Sequence, residues 1–211
     1  MSSNSINQKA RIGILALQGD FNEHAAVLYK MGCAAIHEVR LPKDLDNIDG
    51  LIIPGGESTT MSKLIENYDF RSSLIEFHGK NKPIWGTCAG TILIAKEVTG
   101  LEPWKPLDLI DISVQRNGYG RQLDSFQTNL TISNLKPPTP FVGVFIRAPK
   151  INGIGTGVET LSTLNAKEPV AVKQNNVIAT TFHPELTGDS RFHQLFLDLV
   201  SNNLLDQLHQ K

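Results

Sequence analysis

The run Gly86-Thr87-Cys88-Ala89-Gly90 is a G-x-C-x-G pentapeptide, the thiol counterpart of the G-x-S-x-G turn that presents a nucleophile between a strand and a helix. The spacing has a steric reason. A nucleophile on a sharp strand-to-helix turn sits in strained backbone, and the residues two before and two after it must be small; Gly86 and Gly90 meet that need. The turn places Cys88 at a helix start, where partial positive charge and free N–H groups favour thiolate and can receive an oxyanion. A thiol nucleophile calls for a base. The apolar run 177–182 leads into His183-Pro184-Glu185, and Pro184 keeps the strand from continuing. In extended chain, residues i and i+2 point the same way, so His183 and Glu185 can face one site, the carboxylate fixing the imidazole tautomer. Pro54-Gly55-Gly56-Glu57-Ser58 adds two glycines whose backbone N–H groups can approach a ligand and serve an oxyanion. Taken singly, each has a plainer reading: a buried structural cysteine, a surface histidine beside a proline turn, a Gly-Gly turn with a serine cap. Cys33, between Gly32 and apolar neighbours, keeps the structural reading. His24, His37, His78, His193 and His209 have no comparable setting; His193 and His209 read as lying on the solvated part of the last helix.

The elements that must carry these groups alternate. Residues 11–17 form a short apolar strand. Asp20 and Glu23 have capping-box spacing before a helix that ends at Gly32. Strands follow at 36–39 and 51–53, then a helix capped by Ser58 through Asn67, and another capped by Asp69 and closed by Gly79. A strand at 83–85, the cysteine turn and a helix at 91–97 complete a βα series that predicts an α/β fold with a largely parallel sheet. The second half holds short strand-like runs at 109–114, 141–146, 169–172 and 177–182, read as antiparallel hairpins added to the same sheet. Asp189 opens a last helix with Phe192, Phe196, Leu199, Val200 and Leu204 on one face. There is no repeat and no linker. The expected organisation is a flexible leader, residues 1–10, and a single domain, residues 11–211.

Composition narrows the choices. A chain of 211 residues fits one domain at a soft prior of about 150 per domain. Lys and Arg total 20 against 21 Asp and Glu, a net charge of −1, which excludes a strong whole-protein electrostatic case for nucleic acid or an anionic membrane. Two cysteines exclude a disulfide framework, no C-x-x-C or H-E-x-x-H is present, and neither metal nor cofactor is expected. The polar start and the lack of an apolar run of about 18 residues suggest a cytoplasmic protein.

P-G-G-E-S at 54–58, G-T-C-A-G at 86–90 and F-H-P-E-L at 182–186 together resemble class I glutamine amidotransferases. More narrowly, the chain is similar to the glutaminase subunits of pyridoxal 5′-phosphate synthase. That likeness rests on Leu17-Gln18-Gly19, Gly55-Gly56-Glu57-Ser58-Thr59-Thr60-Met61, residues 115–122 with Arg116 and Asn117-Gly118-Tyr119-Gly120-Arg121-Gln122, and residues 143–149 with Ile146-Arg147. It covers about residues 11–200. The resemblance implies a three-layer, flavodoxin-like α/β fold and hydrolysis of L-glutamine to glutamate and ammonia. Cys88 would form a glutamyl thioester, His183 would shuttle protons and Glu185 would orient it. The backbone N–H groups of Gly56 and Ala89 would form the oxyanion hole, and Gly56, Glu57, Ser58, Arg116, Ile146 and Arg147 would bind glutamine. Arginine suits carboxylate recognition, since a guanidinium can engage both oxygens. With no acceptor motif in the chain, the ammonia is expected to pass to a separate synthase subunit in a hetero-oligomeric complex. Three rivals stay open at this point: a glutaminase serving another acceptor, a peptidase-like or chaperone-like relative, and a non-catalytic binding subunit.

Overall fold

The computed structural model describes residues 9–32, 34–120 and 125–209. Cys33, Arg121, Gln122 and residues 1–8 of the expected leader lie outside the described residues. The fold is built on a seven-stranded sheet. Its parallel part comprises β1 (Ala10–Leu15), β2 (Ala34–Val39), β3 (Gly50–Ile53), β4 (Ile84–Thr87) and β12 (Val177–Thr180). Two antiparallel strands, β10 (Glu159–Leu164) and β11 (Glu168–Gln174), extend it beyond β12. The spatial order is β10-β11-β12-β4-β3-β1-β2.

Every residue of β3, β4 and β12 is buried. Such strands read as continuous apolar runs because helices cover both faces of the sheet. On one face Ile12, Ile14, Ile52, Trp85 and Ile178 pack with α1 (Phe21–Met31) and α5 (Arg191–His209), through Leu28, Phe192, Phe196 and Val200. On the other face Leu51, Ile53, Ile84, Val177 and Ala179 pack with α2 (Ser58–Asn67), α3 (Phe70–Gly79) and α4 (Ala89–Ile94), through Met61, Ile65, Phe70, Leu74 and Ile92. The three-layer α/β expectation holds.

Several local expectations change. The helix after the cysteine turn stops at Ile94; residues 95–97 instead begin β5 (Ala95–Thr99), which pairs in parallel with β6 (Ile110–Gln115). Ala95 carries the extended angles φ −61° and ψ 160°. The added strands do not all join the main sheet. β5, β6 and β9 (Lys150–Ile154) form a sheet of their own, and β7 (Ser125–Leu130) pairs with β8 (Phe141–Ile146) in another. Strands β7, β9 and β10 were not expected from sequence, because polar and glycine residues dilute their alternation. Glu57, not Ser58, caps α2: its carboxylate accepts the Thr60 N–H at 2.9 Å, and Ser58 is the first helical residue. Asp20 and Asp69 occupy cap positions without a side-chain cap bond. Gly32 closes α1 as expected, in left-handed geometry with its N–H on Leu28 O at 3.1 Å.

The glycine spacing around Cys88 has the steric cause read from sequence. A Cβ on Gly86 would stand 2.7 Å from the Gly90 carbonyl carbon, and one on Gly90 would collide with the Ile53 carbonyl oxygen of β3. Replacing Gly90 with Ala is therefore expected to destabilise the fold by about 1–3 kcal/mol or more. Gly79→Ala, at a helix end with no neighbour within 4 Å, should be neutral or stabilising by up to about 1 kcal/mol. Urea unfolding of both variants checks this; equal midpoints would show that the turn tolerates a side chain.

Candidate active site

Loops leaving the C-terminal ends of four neighbouring strands, β12, β4, β3 and β1, converge on one edge of the sheet. That edge is where open parallel sheets bind ligands. Thr87 ends β4 and Thr180 ends β12, and the two are register partners. Cys88 follows at once. Its N–H donates to Thr180 O at 2.8 Å, and its backbone is held at φ 47° and ψ −103°, a strained conformation that costs about 1–3 kcal/mol and persists only where neighbours enforce it. Thr91 supplies part of that enforcement: its hydroxyl lies 2.7 Å from Thr180 O and 3.0 Å from Gly86 O.

His183 lies three residues beyond β12. Its N–H donates to Val144 O of β8 at 2.8 Å. The backbone there is not the extended strand expected from sequence. Pro184–Leu186 is a single turn of 3-10 helix, with His183 at its start. The turn nonetheless brings the two side chains together: His183 Nδ1 donates to Glu185 Oε1 at 2.7 Å, with Glu185 wholly buried. Because Nδ1 is engaged, Nε2 is the ring nitrogen left for a reacting atom; the ring and the Cys88 thiol line the same cleft, and the thiol helps to raise the ring's proton affinity. The Cys88 sulfur also sits 3.9 Å from the Ile146 carbonyl oxygen.

A second carboxylate enters from the loop after β1. Asp20 Oδ2 stands 3.4 Å from His183 Nδ1, which explains why Asp20 does not cap α1. Burial works against charge on the His183 ring, but Asp20, Cys88 and Glu185 together outweigh it and push the imidazole up to about 12. Burial likewise pushes the Glu185 carboxyl up, against the pull of His183. Asp20, His183 and Glu185 offer ligand atoms within 4.8 Å of one another, the arrangement a metal ion could use. The short bond from Nδ1 to Glu185 instead commits that nitrogen to holding a proton.

The remaining sequence candidates Gly56, Glu57, Ser58, Ala89, Arg116, Ile146 and Arg147 line the same cleft of about 350 Å³. Glu185 is the exception, lying behind His183 and out of the cleft. Arg116 donates to Glu57 Oε1 at 3.0 Å and to Gly100 O at 2.6 Å. Burial raises the Glu57 carboxyl, but the Thr60 and Thr59 N–H groups and Arg116 overcome it and hold it below the usual range. Arg147 carries a positive φ of 42°. Ala89 opens α4, so its N–H is among those a helix leaves without an intrahelical acceptor. The loops after β1 and β3 brace each other: Asp20 N–H donates to Gly55 O at 3.0 Å and Glu57 N–H to Gln18 Oε1 at 2.8 Å. Gly55 is required for a reason sequence did not show, since a Cβ there would run into the His183 ring.

Sequence reasoning gave Asp20 the wrong task and left out Asn117 and Leu186, both of which line the cleft. It also put His193 on the solvated part of the last helix and gave His24 no role; both are 0 % exposed. The signal for His193 was its spacing to Leu197 and Val200, positions i+4 and i+7 on the buried face of α5.

A raised folded value means that the His183 interactions stabilise the fold fully below the ordinary histidine value of about 6.5 and lose that contribution only as pH climbs towards 12. Histidine NMR titration is expected to find the His183 ring protonated throughout the neutral range. Glu185→Gln should lower its midpoint, because a charged acceptor is removed. A midpoint near 6.5 in both proteins would refute the ion-pair reading.

Comparison with known proteins agrees with this geometry. A model of the SNO glutamine amidotransferase family matches residues 14–202. A protein of Herpetosiphon aurantiacus named pyridoxal 5′-phosphate synthase subunit PdxT is 50% identical over 190 residues, covering 89% of this chain and 99% of the relative. The protein of the same name from Chloroflexus aurantiacus is 48% identical over 192 residues, 89% of this chain and 99% of its own length. A crystal structure titled as a glutamine amidotransferase superposes with a TM-score of 0.84 at 43% identity, covering 90% of this chain and 98% of the other.

Proposed function

The chain belongs to the SNO glutamine amidotransferase family, and we propose that within it the chain is the glutaminase subunit of a pyridoxal 5′-phosphate synthase, hydrolysing L-glutamine to L-glutamate and ammonia and delivering the ammonia for vitamin B6 synthesis. The observation that carries the site assignment is the 2.7 Å bond between His183 Nδ1 and Glu185 beside a cysteine on a strained turn. On this reading the Cys88 sulfur attacks the side-chain amide carbon of glutamine. The carbonyl oxygen takes negative charge and is received by the N–H groups of Gly56 and Ala89, donors of a kind worth about 10²–10³ in turnover each. His183 gives its Nε2 proton to the departing nitrogen, ammonia leaves, and a glutamyl thioester remains. His183 then takes a proton from water, whose oxygen attacks the thioester carbon and releases glutamate and the thiol. Glu185 keeps the ring in the required tautomer throughout.

Gly56, Glu57, Ser58, Arg116, Ile146 and Arg147 hold the substrate in this scheme. Arg147 is the freer of the two guanidinium candidates for the α-carboxylate, since Arg116 is already paired with Glu57. Ile146 offers its backbone carbonyl, already close to the sulfur. The working unit is the single domain of residues 11–211. Its partner is a synthase subunit, in line with the word subunit in the relatives' names. That subunit takes the ammonia directly, because ammonia released to water is protonated and lost as a nucleophile. Contact with it also completes the oxyanion hole. No described helix is long and apolar enough to cross a membrane, which is compatible with a cytoplasmic protein.

Cys88→Ala is expected to lower glutamate release by about 10⁴-fold or more while leaving binding to the synthase subunit intact, read by a coupled glutamate assay and by gel filtration of the mixed subunits. Persistent hydrolysis would remove Cys88 as nucleophile. In the same assay, addition of the synthase subunit should raise the rate of the unmodified chain. Equal rates with and without it would argue against completion of the site by the partner.

A further inference from the structure

Behind the cleft, Glu185 presents a second oxygen to the protein interior. Oε1 is taken by His183, but Oε2 is buried and forms no hydrogen bond among the described residues. A buried carboxylate oxygen without a donor is unfavourable. A donor stands at hand: His24 Nε2 is 3.4 Å from Oε2 and 3.2 Å from the hydroxyl of Thr87, the residue before Cys88. The opposite nitrogen, His24 Nδ1, lies 3.1 Å from His193 Nε2. Both rings are wholly buried and pack against the Trp85 indole.

Two proton arrangements satisfy the short contacts. If His24 carries its proton on Nδ1, it donates to His193, whose own proton then falls on Nδ1, a buried atom with no partner. The His24 lone pair would then also point at a carboxylate oxygen. If His24 carries its proton on Nε2, it faces Glu185 and Thr87 as a donor, His193 donates from Nε2, and the orphaned His193 atom is a lone pair. Leaving an N–H unpaired in the interior costs more than leaving a lone pair, so the second arrangement is favoured. We propose that His24, held in its Nε2–H tautomer by His193 and bonded to the Thr87 hydroxyl, is a positioning residue whose N–H, 3.4 Å from Glu185 Oε2, attracts that oxygen electrostatically and so helps to fix the carboxylate that orients His183.

The placement lets one ring serve both halves of the site, touching the residue before the nucleophile and the carboxylate behind the base. Other titratable groups near it are His193 and His183. Burial, with the neighbouring His193 and His183 rings, pulls His24 well below the ordinary histidine range, and burial pulls His193 down to about 4. The pair therefore stays neutral at working pH.

The inference rests on the Cys88–His183–Glu185 reading, which the Cys88→Ala assay tests separately. It is tested first in the unmodified chain by ¹⁵N-histidine NMR, with the His24 signals assigned by their loss in His24→Gln. A neutral Nε2–H ring across the neutral range is expected; an Nδ1–H tautomer or a charged ring overturns the proposal whatever the turnover. In the complex with the synthase subunit, His24→Leu is expected to lower kcat by about 10- to 100-fold, the loss of an N–H that faces a charged group. KM should stay within about threefold. The acidic limb of kcat/KM should move to higher pH, since the Glu185 carboxylate loses a facing N–H. His24→Gln keeps an N–H near the Nε2 position and should recover kcat to within about fivefold of the unmodified chain. Unchanged kcat and pH profile in His24→Leu, or equal losses in the two variants, overturns the proposal. If His24→Leu does not fold, the tautomer alone decides.

Discussion

Thr87 and Thr180 face each other in the parallel pairing of β4 with β12, and the Cys88 N–H closes that ladder on the Thr180 carbonyl at 2.8 Å. This register brings a thiol and an imidazole separated by most of the second half of the chain to one edge of a sheet. A one-residue slip would turn every side chain of a strand to the opposite face. Because β12 is buried on both faces, its apolar residues specify the register tightly. The rigidity also holds the strained Cys88 backbone. The Thr91 hydroxyl, the glycines on either side of the turn and the packed helices leave the residue no relaxed alternative.

Around that edge, charge is organised in layers. The cleft wall carries exposed or half-buried pairs such as Arg116 with Glu57, which set substrate geometry more than stability. The next layer is the buried His183 and Glu185, with the half-exposed Asp20 approaching the same ring nitrogen from the cleft. Behind it lies an uncharged layer of two histidines and an indole. Such a gradient favours proton transfer at the cleft, since the outer ring can hold charge while the interior supplies only fixed dipoles.

Much of this was legible in the residues. The elbow glycines, the apolar strands and the His-Pro-Glu turn each have a local steric or electrostatic cause that one pentapeptide or one strand end can show. Where the reading failed, the cause was long-range. Asp20 looks like a cap until β1 and β12 join one sheet with their C-terminal ends on the same edge, and then it faces His183. His24 and His193 look incidental until α1 and α5 cover the same face of the sheet and their rings meet over Trp85. Residues 95–97 look helical because they follow a helix, yet β6 offers them a partner strand. Polar strands such as β7 have too little apolar alternation to announce themselves.

The meeting of Cys88 with His183 is open to a covalent probe. A chloroketone shaped like glutamine should attach one equivalent to the chain, on the peptide containing Cys88 by mass spectrometry. L-glutamine should protect against it, and His183→Ala should slow it strongly. Attachment to a different residue, or labelling of Cys88 at an unchanged rate without His183, would mean that the sulfur and the imidazole do not act as a pair.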